Sequence, residues 1–305
     1  MVNKIKLDSL VTETRNTASM NIDELPIGEV INLICEEDQK AVQAVHAEAD
    51  QMVKAVELMI DSLKKGGRVF YMGSGTSGRL GVLDAAELLP TFGVGEDVFK
   101  AKIAGGEIAM FHPVEAAEDN YQAGVSDLMA ENPSPLDVVI GISASGRTPY
   151  VMGALEKATE VGMRKIGLTC NRETPMHQVA DIVIAPVVGP EVITGSTRMK
   201  AGTAQKLVLN ILSTVTMIRL GKVYQNLMVD MQPTNEKLRR RAERIVMDAT
   251  GMNLQRAQEA LEQSQGNIKA SIVMLKANCD FPQAMQLLVD SEGFVTEAIK
   301  LAGKQ

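Results

Sequence analysis

Twice in this chain a short apolar run ends in a glycine- and hydroxyl-rich loop that opens at once into a helical stretch. Arg68-Val69-Phe70-Tyr71-Met72 leads into Gly73-Ser74-Gly75-Thr76-Ser77-Gly78. Asp137-Val138-Val139-Ile140-Gly141-Ile142 leads into Ser143-Ala144-Ser145-Gly146-Arg147-Thr148, and Pro149 is a good first-turn helix residue. Two further runs, Lys165-Ile166-Gly167-Leu168-Thr169 and Asp181-Ile182-Val183-Ile184-Ala185, read as strands. Strands that alternate with helices make a parallel sheet, and near-continuous apolar strands need cover on both faces. The expected class is therefore α/β, a doubly wound parallel sheet flanked by helices. Such sheets bind ligands at the carboxyl ends of their strands, where both loops lie.

Other segments frame that sheet. Ile27, Val30, Ile31 and Ile34, then Val42, Val45, Ala49, Met52, Val53 and Val56, recur at helical spacing and predict N-terminal helices packed on the core. A long apolar helix is predicted over 199–220 and a polar one after Thr234. Beyond Gly251, short helices at 254–263 and 268–275, with Gly266-Asn267 as stop and cap, predict a small bundle over 251–302. The expected division is an N-terminal arm with helices (1–60), an α/β domain (61–235) and a C-terminal helical region (236–305).

Composition excludes several classes of function. A net charge of −7 argues against a general nucleic-acid binder, and Arg239-Arg240-Arg241 lies between Glu236 and Glu243 as a solvated helix face. Aromatics are 3% and Trp is absent, which disfavours a base-stacking platform. Cys35, Cys170 and Cys279 form no CxxC, and His46, His112 and His177 form no HxxxH, so a metal site is not expected. No run is apolar enough for a signal peptide or a membrane span, and a cytoplasmic protein with no membrane partner is expected.

Phosphate needs several hydrogen-bond donors and a positive field. A Gly-rich turn opening a helix supplies backbone N–H groups and the helix dipole, and hydroxyls add donors. Ser74, Gly75, Thr76 and Ser77 in the first loop, and Ser143, Ser145, Gly146 and Thr148 in the second, are the candidate phosphate ligands, with Arg147 a fixed positive charge. Either loop alone is as well read as an ordinary strand-to-helix turn; two after buried strands favour a sugar phosphate. Gly73-x-Gly75-x-x-Gly78 also fits a dinucleotide fingerprint, but no acid follows at the end of a second strand about 20 residues on.

The two loops, extended by Arg79 and by Pro149-Tyr150, resemble those of the sugar isomerase (SIS) fold. Four further stretches narrow the resemblance to the bacterial N-acetylmuramic acid 6-phosphate etherases: Thr12-Glu13-Thr14-Arg15-Asn16, Asp84-Ala85-Ala86-Glu87, Ala104-Gly105-Gly106-Glu107, and the long run from Thr194 through Arg198-Met199-Lys200 to Gln205-Lys206. The similarity runs from near residue 8 to the C-terminus, with one departure: Leu88-Leu89-Pro90 stands where a Cys-Pro-Pro-like stretch is expected. The resemblance implies a cytoplasmic homodimer without metal or cofactor. It would release D-lactate from N-acetylmuramic acid 6-phosphate and leave N-acetylglucosamine 6-phosphate. It implies Glu87 and Glu118 as the acid–base pair, Glu87 protonating the ether oxygen and Glu118 removing the C2 proton. Burial among Leu83, Leu88 and Leu89 is expected to raise the Glu87 pKa. By residue type alone both read as helix-surface acids, with Glu118 in an early-helix setting. The run 194–206 is expected to wall the site. An aldose–ketose isomerase and a non-catalytic sugar-phosphate regulator are the competing readings on the same fold, and release of D-lactate separates them from the first. The region 251–302 resembles the three-helix ubiquitin-associated fold, for which a packing or dimer-stabilising role is expected.

Overall fold

The four predicted strands form, and a fifth joins them at the edge. The computed structural model describes residues 10–114, 116–231 and 235–303, so the first nine residues of the predicted arm and Thr234 lie outside the described residues. The strands are β1 (Val69–Gly73), β2 (Phe99–Ile103), β3 (Val138–Ile142), β4 (Arg164–Leu168) and β5 (Ile182–Ile184). All neighbours pair in parallel, in the order β2-β1-β3-β4-β5. Every residue of β1 and β3 is buried, as central strands covered on both faces require. The chain leaves β1 towards one edge of the sheet and β3 towards the other. A crevice opens between two such neighbours at their carboxyl ends. Gly73 and Ile142, the last residues of β1 and β3, lie in register, so the two predicted loops leave from adjacent points.

β2 escapes the apolar-run signal because it is an edge strand. Lys100 and Lys102 stand on it in alternation, both ion-paired with Glu131, and only Phe99 and Ile103 are buried.

The helices are α1 (Ile27–Ala47), α2 (Ala49–Lys64), α3 (Gly75–Phe92), α4 (Tyr121–Met129), α5 (Pro149–Val161), α6 (Met176–Val179), α7 (Lys200–Arg219), α8 (Glu236–Thr250), α9 (Leu254–Gln263), α10 (Ile268–Ala277), α11 (Phe281–Asp290) and α12 (Val295–Ala302). The apolar spacing along α1 and α2 divides between two directions. Val45, Met52 and Val56 are buried, whereas Ile27, Ile31, Val42 and Val53 are between 54% and 81% exposed. Among the described residues no helix is long and apolar enough to cross a membrane.

Two compact units emerge. One holds residues up to 86 together with 96–213, and therefore the whole sheet; the other holds 87–95 and 214 onward. The divisions fall inside α3 and α7. In the second unit α8 to α11 each open on an Asn or Asp whose side chain accepts a backbone N–H, the sequence-readable signal for a helix start. Asn267 caps α10 as expected, and four short helices, not three, follow Gly251.

Candidate active site

The second loop is a self-contained hydroxyl cluster. Ser143 is buried, and its Oγ accepts the Gly146 N–H at 3.1 Å while lying 2.8 Å from Thr148 Oγ1 and 3.3 Å from Ser145 Oγ. Ser143 thus organises the loop, and the half-buried Ser145 and Thr148 stand beside it. Gly146 has φ +67°, and a Cβ there would lie 2.4 Å from Thr174 Oγ1, so only glycine fits. The Ala144 carbonyl accepts from Cys170 N, Asn171 Nδ2 and Thr169 Oγ1, which pins the loop to the end of β4. Asn171 also reaches the N-terminal arm, donating to Thr12 Oγ1 and accepting from Val11 N. α5 starts at once after Thr148 and directs its N-terminal field at the loop. Among the described residues, Arg147 Nε is buried without a hydrogen-bond partner, a donor that a bound anion could satisfy.

The first loop is built differently. Ser77 is buried and donates its hydroxyl to Gln205 Oε1 at 2.9 Å, so that proton already has an acceptor within the protein. Thr76 packs at the backbone of Gly202 on α7. Ser74 and Gly75 remain at the surface of a cavity of about 160 Å³ that also holds Arg79 and Glu118. Ser74 Oγ lies 3.4 Å from Glu118 Oε2, a long and weak hydrogen bond. Glu118 is not in an early helix turn. It lies in a 3₁₀ turn, Ala117–Asp119, before α4, and Ala116 enters that turn at φ +60°. A non-glycine residue in the left-handed region is strained, and such strain gathers at functional sites.

Glu87 stands in the last third of α3. Within this one chain it is exposed, and the leucine cage expected around it is not built: Leu88 is buried, but Leu83 and Leu89 are each 50% exposed. Three residues earlier, Asp84 is a buried anchor. It accepts from Tyr71 Oη at 2.9 Å, and from Asn210 and Ser213 of α7. Burial, and then the Asp84 charge, push the Tyr71 phenol well above its usual range, so Tyr71 stays a donor. The first acid of the Asp84-to-Glu87 stretch therefore locks α3 to the core.

A SIS domain model matches residues 113–215, and a model of the glucokinase regulatory protein N-terminal SIS domain matches 51–159. The N-acetylmuramic acid 6-phosphate etherase of Clostridium botulinum (strain Okra) is 50% identical over 296 residues, 97% of this chain and 98% of that protein. The chain belongs to the N-acetylmuramic acid 6-phosphate etherase family. N-acetylmuramic acid 6-phosphate etherase 1 of Enterococcus faecalis is 48% identical over 98% of this chain and 100% of its own length. A solved phosphoheptose isomerase from Neisseria gonorrhoeae, 21% identical with a TM-score of 0.50, covers 63% of this chain and 98% of its own, and shows the shared fold alone.

The longest etherase-like stretch, 194–206, now divides by role. Lys200 is buried and pairs with Glu37 of α1, which also accepts from Asn16 of the arm at 3.0 Å. Burial acts to raise the Glu37 carboxyl, but Lys200, Lys40 and Asn16 outweigh it and hold it below its usual range. Glu191 is fully buried and accepts the backbone N–H groups of Lys200 and Ala201, the opening of α7. Lys200 therefore holds the arm, α1 and α7 together and is not free for a ligand. Cys170 is fully buried nearby, and burial pushes its thiol up to about 12, too high to serve as a nucleophile. Lys200, Glu37 and Glu191 lie 9 to 163 residues apart, so no local pattern in the sequence announces their pairing. Arg79, a cation closing the glycine-rich first loop, is the feature of that cavity that the sequence marks without assigning it a role.

Proposed function

We propose that this chain cleaves the D-lactyl ether of N-acetylmuramic acid 6-phosphate with net addition of water. The products are N-acetylglucosamine 6-phosphate and D-lactate, and the setting is cytoplasmic recycling of cell-wall sugar. The observation that carries the reading is the cavity joining Ser74, Arg79 and Glu118 beyond the carboxyl ends of β1 and β2, in a chain half identical to named etherases. The second loop, with its hydroxyls, its glycine and the α5 N-terminus, takes the 6-phosphate.

The chemistry follows from the open-chain sugar. Its aldehyde acidifies the C2 proton, which Glu118 removes. The C3–O bond then breaks while Glu87 protonates the departing lactyl oxygen, and water adds back at C3. Each of the two proton transfers contributes about 10²–10⁴-fold. The exposed apolar side chains of α1 and α2, Ile27, Ile31, Val42 and Val53, support a homodimer, since apolar side chains left to solvent can be covered by a second copy.

Incubation with N-acetylmuramic acid 6-phosphate should release D-lactate stoichiometrically. Folded protein that releases none would leave the isomerase and regulator readings in possession of the fold. Sedimentation at micromolar concentration tests the dimer, and a monomer there would remove it.

A further inference from the structure

Among the described residues, the guanidinium of Arg79 is anchored but not used up. Its Nε donates to the Met110 carbonyl at 3.0 Å and its Nη2 to that of His112 at 3.4 Å. Both carbonyls belong to the segment that runs from β2 towards Glu118, so one edge of the fork braces the carrier of the base. Neither bond occupies Nη1, and Arg79 lines the same cavity as Ser74 and Glu118. Ala109, Pro113 and Val114 give that cavity an apolar side. Its volume, about 160 Å³, is below the roughly 300 Å³ at which whole-ligand pockets begin. It suits a fragment of a sugar phosphate and not the whole molecule.

Resting on the etherase reading, we infer that Arg79 recognises the lactyl carboxylate of the substrate and so separates substrate from product. The substrate carries two anionic groups, and the second loop accounts for the phosphate. A carboxylate placed beside Glu118 would be repelled by it, and a guanidinium in the same cavity offsets that repulsion and offers directional N–H donors. Chemistry on the sugar requires the same neighbourhood. The lactyl group leaves from C3 and the base acts at C2, so a carboxylate subsite beside Glu118 suits adjacent carbons. The apolar wall is matched to the lactyl methyl group. N-acetylglucosamine 6-phosphate lacks the carboxylate and forfeits the contact, which favours its release.

The test is a cycle between protein and substrate. Wild type, Arg79→Lys and Arg79→Gln are each assayed on N-acetylmuramic acid 6-phosphate and on its lactamide, in which the carboxylate becomes a neutral amide. Loss of one charge-assisted pair is expected to cost the wild type about thirtyfold in kcat/KM on the amide. In Arg79→Gln that preference should fall to within about threefold, and in Arg79→Lys it should be intermediate. A residue that only braces the loop would lower both rates and leave their ratio intact, so an unchanged ratio in a folded Arg79→Gln overturns the inference. Should the variants fail to fold, a wild type indifferent to the amide overturns it as well. Wild type that releases no D-lactate from the natural substrate sinks the etherase reading itself, a result distinct from active wild type with an unchanged ratio.

Discussion

The two loops leave adjacent strands, yet they spend their polar groups in opposite ways. The second, 143–148, turns its hydroxyls on one another around Ser143 and keeps Ser145 and Thr148 half-buried beside them. It holds no carboxylate of its own. The first, 74–79, directs the Ser77 proton into the protein and shares a cavity with a carboxylate and a guanidinium. A cluster of hydroxyl donors with a guanidinium beside it, under a helix N-terminus, suits an ion that must be held and left unreacted. A carboxylate on a strained turn suits a proton that must move. The difference predicts that damage to the first region appears in turnover and damage to the second in substrate affinity.

The largest effect tests the first half of that statement. Glu118→Gln should lower kcat at least about a hundredfold while the substrate still binds, and Glu87→Gln should do the same. In deuterated water the Glu118 variant should also lose exchange at C2. Wild-type-like turnover in either variant would remove that residue from the mechanism. A rise in KM alone for Glu118→Gln would erase the contrast between the loops.

Glycines sharpen the contrast next. Both loops need a positive φ, +51° at Gly75 and +67° at Gly146, but their surroundings differ. A Cβ on Gly75 meets nothing within 4 Å, whereas on Gly146 it would lie 2.4 Å from Thr174 Oγ1 and 2.7 Å from Thr169 Oγ1. Gly75→Ala should cost only the backbone strain, about 1 kcal/mol of stability. Gly146→Ala adds a clash and should cost about 3 kcal/mol and raise KM at least about tenfold. Thermal melts and initial rates on the pair decide it, and equal penalties would mean that the second loop is not held as tightly as its contacts imply.

Single hydroxyls should give smaller changes. Ser145→Ala removes one half-buried donor and should raise KM about fivefold with kcat nearly unchanged. Comparable activity on the sugar without its phosphate would show that this loop holds some other group.

Much of this contrast was readable in the linear sequence. Buried central strands announce themselves by unbroken apolar runs, and both loops stood out because glycine and hydroxyl residues followed such runs directly. α7 was legible for the same reason, as a long apolar stretch, and Asn267 as a helix cap. β2 was not, because an edge strand can carry Lys100 and Lys102 without penalty. The setting of Glu118 is not legible: an Ala-rich acidic stretch looks helical, but Ala116 takes a left-handed conformation that no propensity announces. The cage around Glu87 was inferred from neighbouring leucines in sequence, and helix geometry turns two of them outward. Lys200, Glu37 and Glu191 joined into one buried network only through the fold, since nothing local marks a lysine that will be buried by a partner 163 residues away.

The smallest expected effect concerns β2, the edge strand that leads to Glu118. Lys100 and Lys102 hold the Glu131 carboxyl down to about 2, from an ordinary value of 4.5. The folded state therefore binds this proton less tightly than the unfolded chain. The stabilisation is complete above about pH 5.5, begins to fade as pH falls through 4.5, and is gone near pH 2. The two lysines are 26% and 33% exposed, so solvent screening limits the contribution to about 1 kcal/mol. Glu131→Gln should accordingly lower the melting temperature by a few degrees at pH 7, and the gap to wild type should close as the pH falls towards 3. β2 leads into the segment carrying Glu118 and stands at the sheet edge, whereas the second loop leaves a central strand. Hydrogen exchange between pH 7 and pH 3 should thus rise first in 99–118 and last in 138–148. Simultaneous loosening of both segments would mean that the segment carrying Glu118 and the second loop share one cooperative unit, and that the division of labour between them does not extend to their stability.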